Sequence, residues 1–137
     1  MLYVKTPKRN DKAGSGEFGS PRGDHSHAGI DYAVMPNSEI LSPVSGRVTK
    51  FGICYRGDPR YLYVQVTDTQ KMNHRFFYVQ PSEELALDCE VREGDALGVV
   101  QDVAAKYPGQ GMVNHVHYEI RTSSGEAINP DEYWRGR

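Results

Sequence analysis

The stretch Asn114-His115-Val116-His117-Tyr118-Glu119-Ile120 constrains this chain more than any other. Polar and apolar residues alternate along it, with β-branched and aromatic types among them, and this predicts a strand whose successive side chains point to opposite faces. His115 and His117 then share one face. A distant segment, His27-Ala28-Gly29-Ile30-Asp31, offers a further histidine and a carboxylate. A His/His/Asp set leaves the fourth corner of a tetrahedral zinc site open for water, which is the arrangement of a catalytic metal rather than a structural one. Cys54 and Cys89 stand in no CxxC or CxxH pair, so no sulfur site competes, and whether they pair with each other stays open.

At 137 residues the chain has the common size of one domain. Residues 1–137 are read as a single unit with an N-terminal approach segment over 1–17 and a C-terminal tail over 130–137. The balance of 16 basic against 18 acidic residues, a net charge of −2, gives no electrostatic reason to expect nucleic acid or an anionic membrane as partner. No run approaches the roughly 18 apolar residues that cross a bilayer, and Met1-Leu2-Tyr3-Val4-Lys5 lacks the apolar core of a signal peptide. A monomer that neither inserts in membranes nor binds nucleic acid is expected.

Residues 7–26 read as loop, with Pro7, Gly14, Gly16, Gly19, Pro21 and Gly23 among charges. Arg22 lies just before the first candidate ligand and is expected to hold a carboxylate or carbonyl of a substrate. His25 is set aside as a ligand because His27 has the better-spaced carboxylate. Downstream, Glu39–Leu41, Gly46–Gly52, Tyr61–Val66 and Arg75–Gln80 read as strands bounded by turn residues. Val91–Val100 reads as a turn at Gly94-Asp95 feeding another. The class is all-β and mainly antiparallel. In Tyr61–Val66 the residues Leu62, Val64 and Val66 fall on a dry face, and Tyr61, Tyr63 and Gln65 on a face lining a groove over the larger sheet. The Val103–Val113 loop is expected to wall a cleft. Helix is expected only around Ser82–Leu87 and Pro130–Trp134, a turn or two each.

With these elements placed, the chain resembles peptidase family M23, the lysostaphin-type or LytM-like zinc endopeptidases of bacterial cell walls. The resemblance runs through Phe18-Gly19 and Arg22, His27-Ala28-Gly29-Ile30-Asp31-Tyr32, Ile40, Pro43, Gly46-Arg47-Val48, Gly94-Asp95-Ala96-Leu97-Gly98, His115-Val116-His117-Tyr118-Glu119-Ile120 and Asn129-Pro130. It implies the duplicated, two-sheet M23 fold and one Zn2+ held by His27, Asp31 and His117, with His115 off the metal as general base. The implied activity is hydrolysis of peptidoglycan stem or cross-bridge peptides. The implied place of action is the periplasm or cell wall, reached from a trimmed precursor or by phage or contact-dependent delivery. Asn114 and Tyr78 join Arg22 as expected substrate contacts.

One departure stands out. Family members carry a further histidine where the resemblance sets Gln80, in Tyr78-Val79-Gln80-Pro81-Ser82. Glutamine can donate a hydrogen bond but cannot titrate, so Gln80 is expected to keep part of that catalytic role. Tyr78, with the same strand parity, reads first as a core or groove-wall aromatic, with its hydroxyl as a possible oxyanion donor. His74 is too far along the strand to substitute and reads as a free surface histidine. Chemotaxin-like secreted vertebrate relatives of this fold share the missing histidine, and Phe77-Tyr78-Val79-Gln80-Pro81 and Tyr107-Pro108-Gly109 resemble their segments. The alternative is therefore a zinc-binding pseudopeptidase that binds a protein or glycan partner. A phosphocarrier role is disfavoured because Asp31 beside a phosphoryl acceptor would repel it.

Overall fold

Alternating apolar residues turn two sheets into one shared core. The computed structural model describes residues 8–11, 14–22 and 25–135. Its strands are β1 (Asn10–Asp11), β2 (Gly14–Ser15), β3 (Pro21–Arg22), β4 (His25–Ser26), β5 (Ile30–Ala33), β6 (Glu39–Leu41), β7 (Gly46–Tyr55), β8 (Asp58–Asp68), β9 (Asn73–Phe77), β10 (Val79–Pro81), β11 (Glu90–Val91), β12 (Ala96–Val100), β13 (His115–Arg121) and β14 (Ala127–Ile128). A 3-10 turn covers Val103–Lys106, and the helix α1 spans Pro130–Trp134. Of the approach segment, residues 1–7 and 12–13 lie outside the described residues, as do 23–24 and 136–137, together with the side chain of His25.

The larger sheet runs β11-β7-β8-β9-β13-β14, with β5 also paired to β13, and the smaller runs β10-β12-β6. Every pairing is antiparallel. Val48, Val64, Val66, Phe76, Val116, Tyr118 and Ile120 from the larger sheet meet Ile40, Val79, Leu97 and Val100 from the smaller in one cluster of buried residues. Burying each such side chain contributes about 1.5–3 kcal/mol. The architecture is thus nearly all-β, as read from the sequence.

Several local expectations change. The hairpin β7–β8 is longer than the two runs that mark it, because its two-residue turn closes between Tyr55 and Asp58 with Gly57 at φ 81°. Gly52 lies inside β7 instead of ending it, since a Cβ there would stand 2.3 Å from the Tyr63 ring. Tyr61, Tyr63 and Gln65 are 7 %, 7 % and 8 % exposed, so the face expected to line a groove is itself covered. Ser82–Leu87 forms turns rather than helix.

The run expected as one strand, Arg75–Gln80, is broken at Tyr78, whose φ of 68° carries the chain from β9 in the larger sheet to β10 in the smaller. His74 is not a surface residue. It is fully buried, with ring nitrogens 2.7 Å from the Tyr118 hydroxyl and 2.9 Å from Asp68 Oδ2. Its strand position faces the core, beside Val66 and Ile120 in register.

Candidate metal centre

The antiparallel pairing of β13 with β5 sets Asp31 directly opposite His117, and His115 opposite Ala33. Side chains on one face of paired strands stand about 5 Å apart at Cβ, so this register alone brings the carboxylate to the imidazole. His27 enters from just upstream of β5, past Gly29. A Cβ on Gly29 would lie 2.3 Å from Tyr118 O and 3.0 Å from His117 Cε1, so only glycine lets the segment pass this close.

Three ligand atoms converge. Asp31 Oδ1 lies 3.1 Å from His27 Nε2 and 2.8 Å from His117 Nδ1, and the two nitrogens are 2.9 Å apart. Adjacent corners of a tetrahedron with arms of about 2 Å are roughly 3.3 Å apart, so this triangle fits one face of a zinc site. The opposite ring nitrogens have acceptors of their own. His27 Nδ1 is 3.0 Å from Glu17 O, a backbone carbonyl that only accepts, and His117 Nε2 is 2.8 Å from the Glu119 carboxylate. With a metal in the triangle each ring would keep its hydrogen on the far side and turn a lone pair inward, the usual outer shell of a metal histidine; with none there, His117 and His27 donate to Asp31.

His115 is built the same way but is not part of this triangle. Its Nδ1 donates to Val113 O at 2.7 Å, leaving Nε2 as a free base 3.7 Å from Asp31 Oδ2. Burial lowers its pKa more than the Asp31 charge raises it, so the ring is neutral at neutral pH. His117 moves the other way: burial lowers its pKa, but hydrogen bonds to Asp31 and Glu119 prevail and push it up to about 9. Burial alone would raise the Asp31 carboxyl. The hydrogen bonds from His117 and His27 outweigh that and hold it far below the usual carboxylate range.

Two residues that sequence reasoning missed complete the centre. Arg9, 5 % exposed, donates from Nη1 to Asp31 Oδ2 at 2.9 Å and from Nε to Asp11 Oδ2 at 2.9 Å. Asp11 in turn accepts from the Val113 backbone N–H at 2.8 Å, tying the approach segment to the head of the histidine strand. Nothing local marks either residue, because both act across a long sequence separation.

The expected substrate residues divide. Arg22 and Tyr78 line the cleft over the metal triangle, with Arg9, Cys54, Tyr55, Phe77, Tyr107 and Met112. Tyr107, Gln110 and Met112 come from the Val103–Val113 loop, which does wall the cleft. Arg22, however, spends its donors on Ser15 O at 2.6 Å, Ser20 Oγ at 3.0 Å and Asp31 Oδ2 at 3.5 Å. Asn114 is not among the residues of the cleft. Its Oδ1 accepts from the Ala104 N–H at 2.9 Å and anchors the loop.

Gln80 is elsewhere too. It pairs with Val99 in the smaller sheet, is exposed, and borders a different depression beside Arg60, Tyr61 and Gln101. The expectation assumed an unbroken strand, and the left-handed turn at Tyr78 removes that assumption. Tyr78 is the residue that stands over His115, ring centroids 5.2 Å apart at 87°. Cys54 is half-buried and unpaired, as is Cys89. Burial pushes the Cys54 thiol up to about 12, so it faces the cleft as a thiol, not a thiolate ligand. A second hollow, lined by Arg47, Thr49, Thr67, Lys71 and Arg92, contains none of these groups.

Comparisons with known proteins bear on the fold and the family. The mouse (Mus musculus) leukocyte cell-derived chemotaxin-2 is 24 % identical over 119 residues, 83 % of this chain and 72 % of that protein. The catalytic domain of the prophage-encoded M23 protein EnpA from Enterococcus faecalis superposes with a TM-score of 0.67 at 21 % identity, covering 98 % of this chain and 95 % of that one. Lysostaphin, the antimicrobial peptidase from Staphylococcus simulans, gives 0.71 at 13 % identity, and Csd3 from Helicobacter pylori gives 0.68 at 22 %. This chain covers 98 % of itself but 52 % of lysostaphin, and 96 % of itself but 33 % of Csd3. These solved structures carry the fold. Residues 25–130 match the model of Peptidase family M23, and they contain all four residues of the HxxxD and HxH segments, so the chain belongs to that family.

Proposed function

We propose that this protein is a zinc metalloendopeptidase that hydrolyses peptide bonds in peptidoglycan stem or cross-bridge peptides. The observation that carries the reading is a three-ligand metal triangle with a fourth group, His115, kept neutral and turned toward it by a backbone carbonyl. Zinc held by His27, Asp31 and His117 supplies Lewis acidity, which polarises a carbonyl and acidifies water. His115 Nε2 takes the water proton and later returns it to the leaving nitrogen, since its Nδ1 hydrogen stays committed to Val113 O. Arg9 holds the second oxygen of Asp31, so the carboxylate keeps one oxygen for the metal. Tyr55, Tyr107 and Met112 give the cleft an aromatic and apolar wall suited to a peptide backbone between small side chains.

The family and the peptidase relatives support peptidoglycan as substrate, with action in the periplasm or at the cell wall. Delivery by phage is in keeping with the prophage-encoded structural relative. Among the described residues no helix is long and apolar enough to cross a membrane.

A second reading, a zinc-binding pseudopeptidase that recruits a protein or glycan, is favoured by one observation. The chain is similar to a chemotaxin. The deciding experiment incubates purified sacculi and short cross-link peptides with the zinc-loaded protein, using His115→Ala as blank. Products above the blank are expected. Their absence with zinc confirmed bound overturns the peptidase reading in favour of the second.

A further inference from the structure

We propose that Tyr78, oriented by Tyr55, is the hydrogen-bond donor that stabilises the oxyanion formed when a peptide carbonyl is attacked in this cleft. The inference rests on the peptidase reading above and assigns it a residue outside the metal triangle. It begins with backbone geometry. Tyr78 has a φ of 68°, a left-handed conformation that costs a bulky residue on the order of 1–3 kcal/mol and persists only where the surroundings enforce it. The surroundings are the junction between the two sheets. The Tyr78 N–H donates to Leu62 O at 2.8 Å, and its carbonyl accepts from the Gln101 N–H at 2.9 Å. The strain turns the ring into the metal cleft, edge-on to His115.

The hydroxyl is then positioned by a second tyrosine. Tyr55 donates to Tyr78 Oη at 3.2 Å, so that oxygen is used as an acceptor, and no described residue accepts the Tyr78 proton. Tyr55 is itself braced, with Lys106 Nζ 4.5 Å from its ring centroid and Tyr61 and Tyr107 edge-on at 6.0 and 6.3 Å. Lys106 is held in turn by Asp58 at 2.8 Å. Burial, with the Asp31 charge adding to it, keeps the Tyr78 phenol protonated and therefore a donor. Three other donors of the cleft are occupied: Arg9 and Arg22 bind Asp31, and the His115 N–H binds Val113 O.

The step balances without an added reagent. Water oxygen bonds to the carbonyl carbon while its proton passes to His115 Nε2. The carbonyl π electrons move onto oxygen, which accepts a hydrogen bond from Tyr78. The C–N bond then breaks as His115 protonates the leaving amine. Tyr78 keeps its proton throughout, which is why a group that does not titrate near neutrality can serve here.

The test compares zinc-loaded wild type with Tyr78→Phe and Tyr55→Phe, each of which removes one hydroxyl and keeps the ring. Three quantities are read: zinc content, kcat and KM for a cross-link peptide, and calorimetric affinity for a phosphinate peptide whose tetrahedral oxygens mimic the oxyanion. Tyr78→Phe is expected to retain zinc, to lose about a hundred- to a thousandfold in kcat with little change in KM, and to bind the phosphinate more weakly by a similar factor. Tyr55→Phe is expected to lose about tenfold in both, the effect of one hydrogen bond acting through another. It reads the proposal independently if Tyr78→Phe fails to fold. Wild-type kcat and phosphinate affinity in the folded variants overturn the assignment while leaving the peptidase reading intact. A wild type that holds zinc yet neither cleaves nor binds phosphinate overturns the peptidase reading, and the assignment with it.

Discussion

Arg9 Nη1 lies 2.9 Å from Asp31 Oδ2, the carboxylate oxygen that does not face His27 and His117. One arginine thus decides which oxygen is left for a metal, and it does so from inside the protein, where its own charge is offset by Asp11 as well. Replacing it by leucine leaves two acidic groups without their buried partner. Arg9→Leu is expected to lower zinc affinity about 10–100-fold, in line with other outer-shell losses. It is also expected to cost about 3 kcal/mol or more of stability. Competition with a chromophoric chelator and urea unfolding read the two effects separately, and unchanged zinc affinity would remove Arg9 from the centre.

Gly29→Ala should damage the same centre by a steric route. The new methyl would meet Tyr118 O at 2.3 Å and crowd His117 Cε1 and Glu119 Cγ at 3.0 Å. Overpacking of this kind costs about 1–3 kcal/mol, and here the groups that must yield are a metal histidine and the carboxylate that orients it. The expected result is a lower unfolding temperature together with weaker zinc binding. A destabilised variant with full zinc affinity would mean that the segment shifts as a unit.

The buried pair Asp68 and His74 makes stability depend on pH. Trp134 Nε1–H donates to the Tyr118 oxygen, Tyr118 O–H to His74 Nδ1, His74 Nε2–H to Asp68 Oδ2, and Tyr133 O–H to the same oxygen. In this arrangement the imidazole is neutral, in keeping with its lowered pKa. Burial lowers the His74 pKa more than Asp68 raises it, and the hydrogen bonds to Asp68 outweigh its own burial and lower that carboxyl. Both folded pKa values are depressed. Their stabilisation is therefore complete above the unfolded imidazole value of about 6.5 and is lost as pH falls below it. Urea unfolding across this range should show the wild type losing stability toward acid. His74→Gln should lower stability at pH 7.5 by about 3 kcal/mol and flatten the upper part of that decline. An equally steep decline in the variant would assign it to other groups.

Gln80→His tests the position at which the family resemblance places a second histidine. Because Gln80 sits in the smaller sheet, beside Val99 and away from the cleft, the new imidazole cannot reach a peptide held over the metal triangle. Turnover is expected to stay within about twofold of wild type, as for independent sites. A rise of tenfold or more would show that the Tyr78 turn rearranges when substrate binds.

The convergence of His27, Asp31 and His117, a group that could hold a metal, was legible in the sequence because its logic is local and periodic. Period-two alternation puts His115 and His117 on one face whatever else the chain does, and the glycine in His27-Ala28-Gly29-Ile30-Asp31 marks the close passage that brings the second segment against that face. The nearly all-β class followed from the same alternation in the other runs. Alternation failed where a single backbone conformation changed hands. No side-chain pattern announces that Tyr78 is left-handed, yet that one dihedral moves Gln80 into another sheet and puts a phenol over His115. Long-range partners were equally hidden. Arg9 drew no reading at all and His74 read as a free surface histidine, and only their tertiary neighbours make them a buried clamp and a buried relay. The sequence by itself determined which residues can hold a metal, since strand periodicity is set by each residue's own geometry. Which groups stand beside that metal was decided by the tertiary structure, since burial and pairing depend on the whole chain.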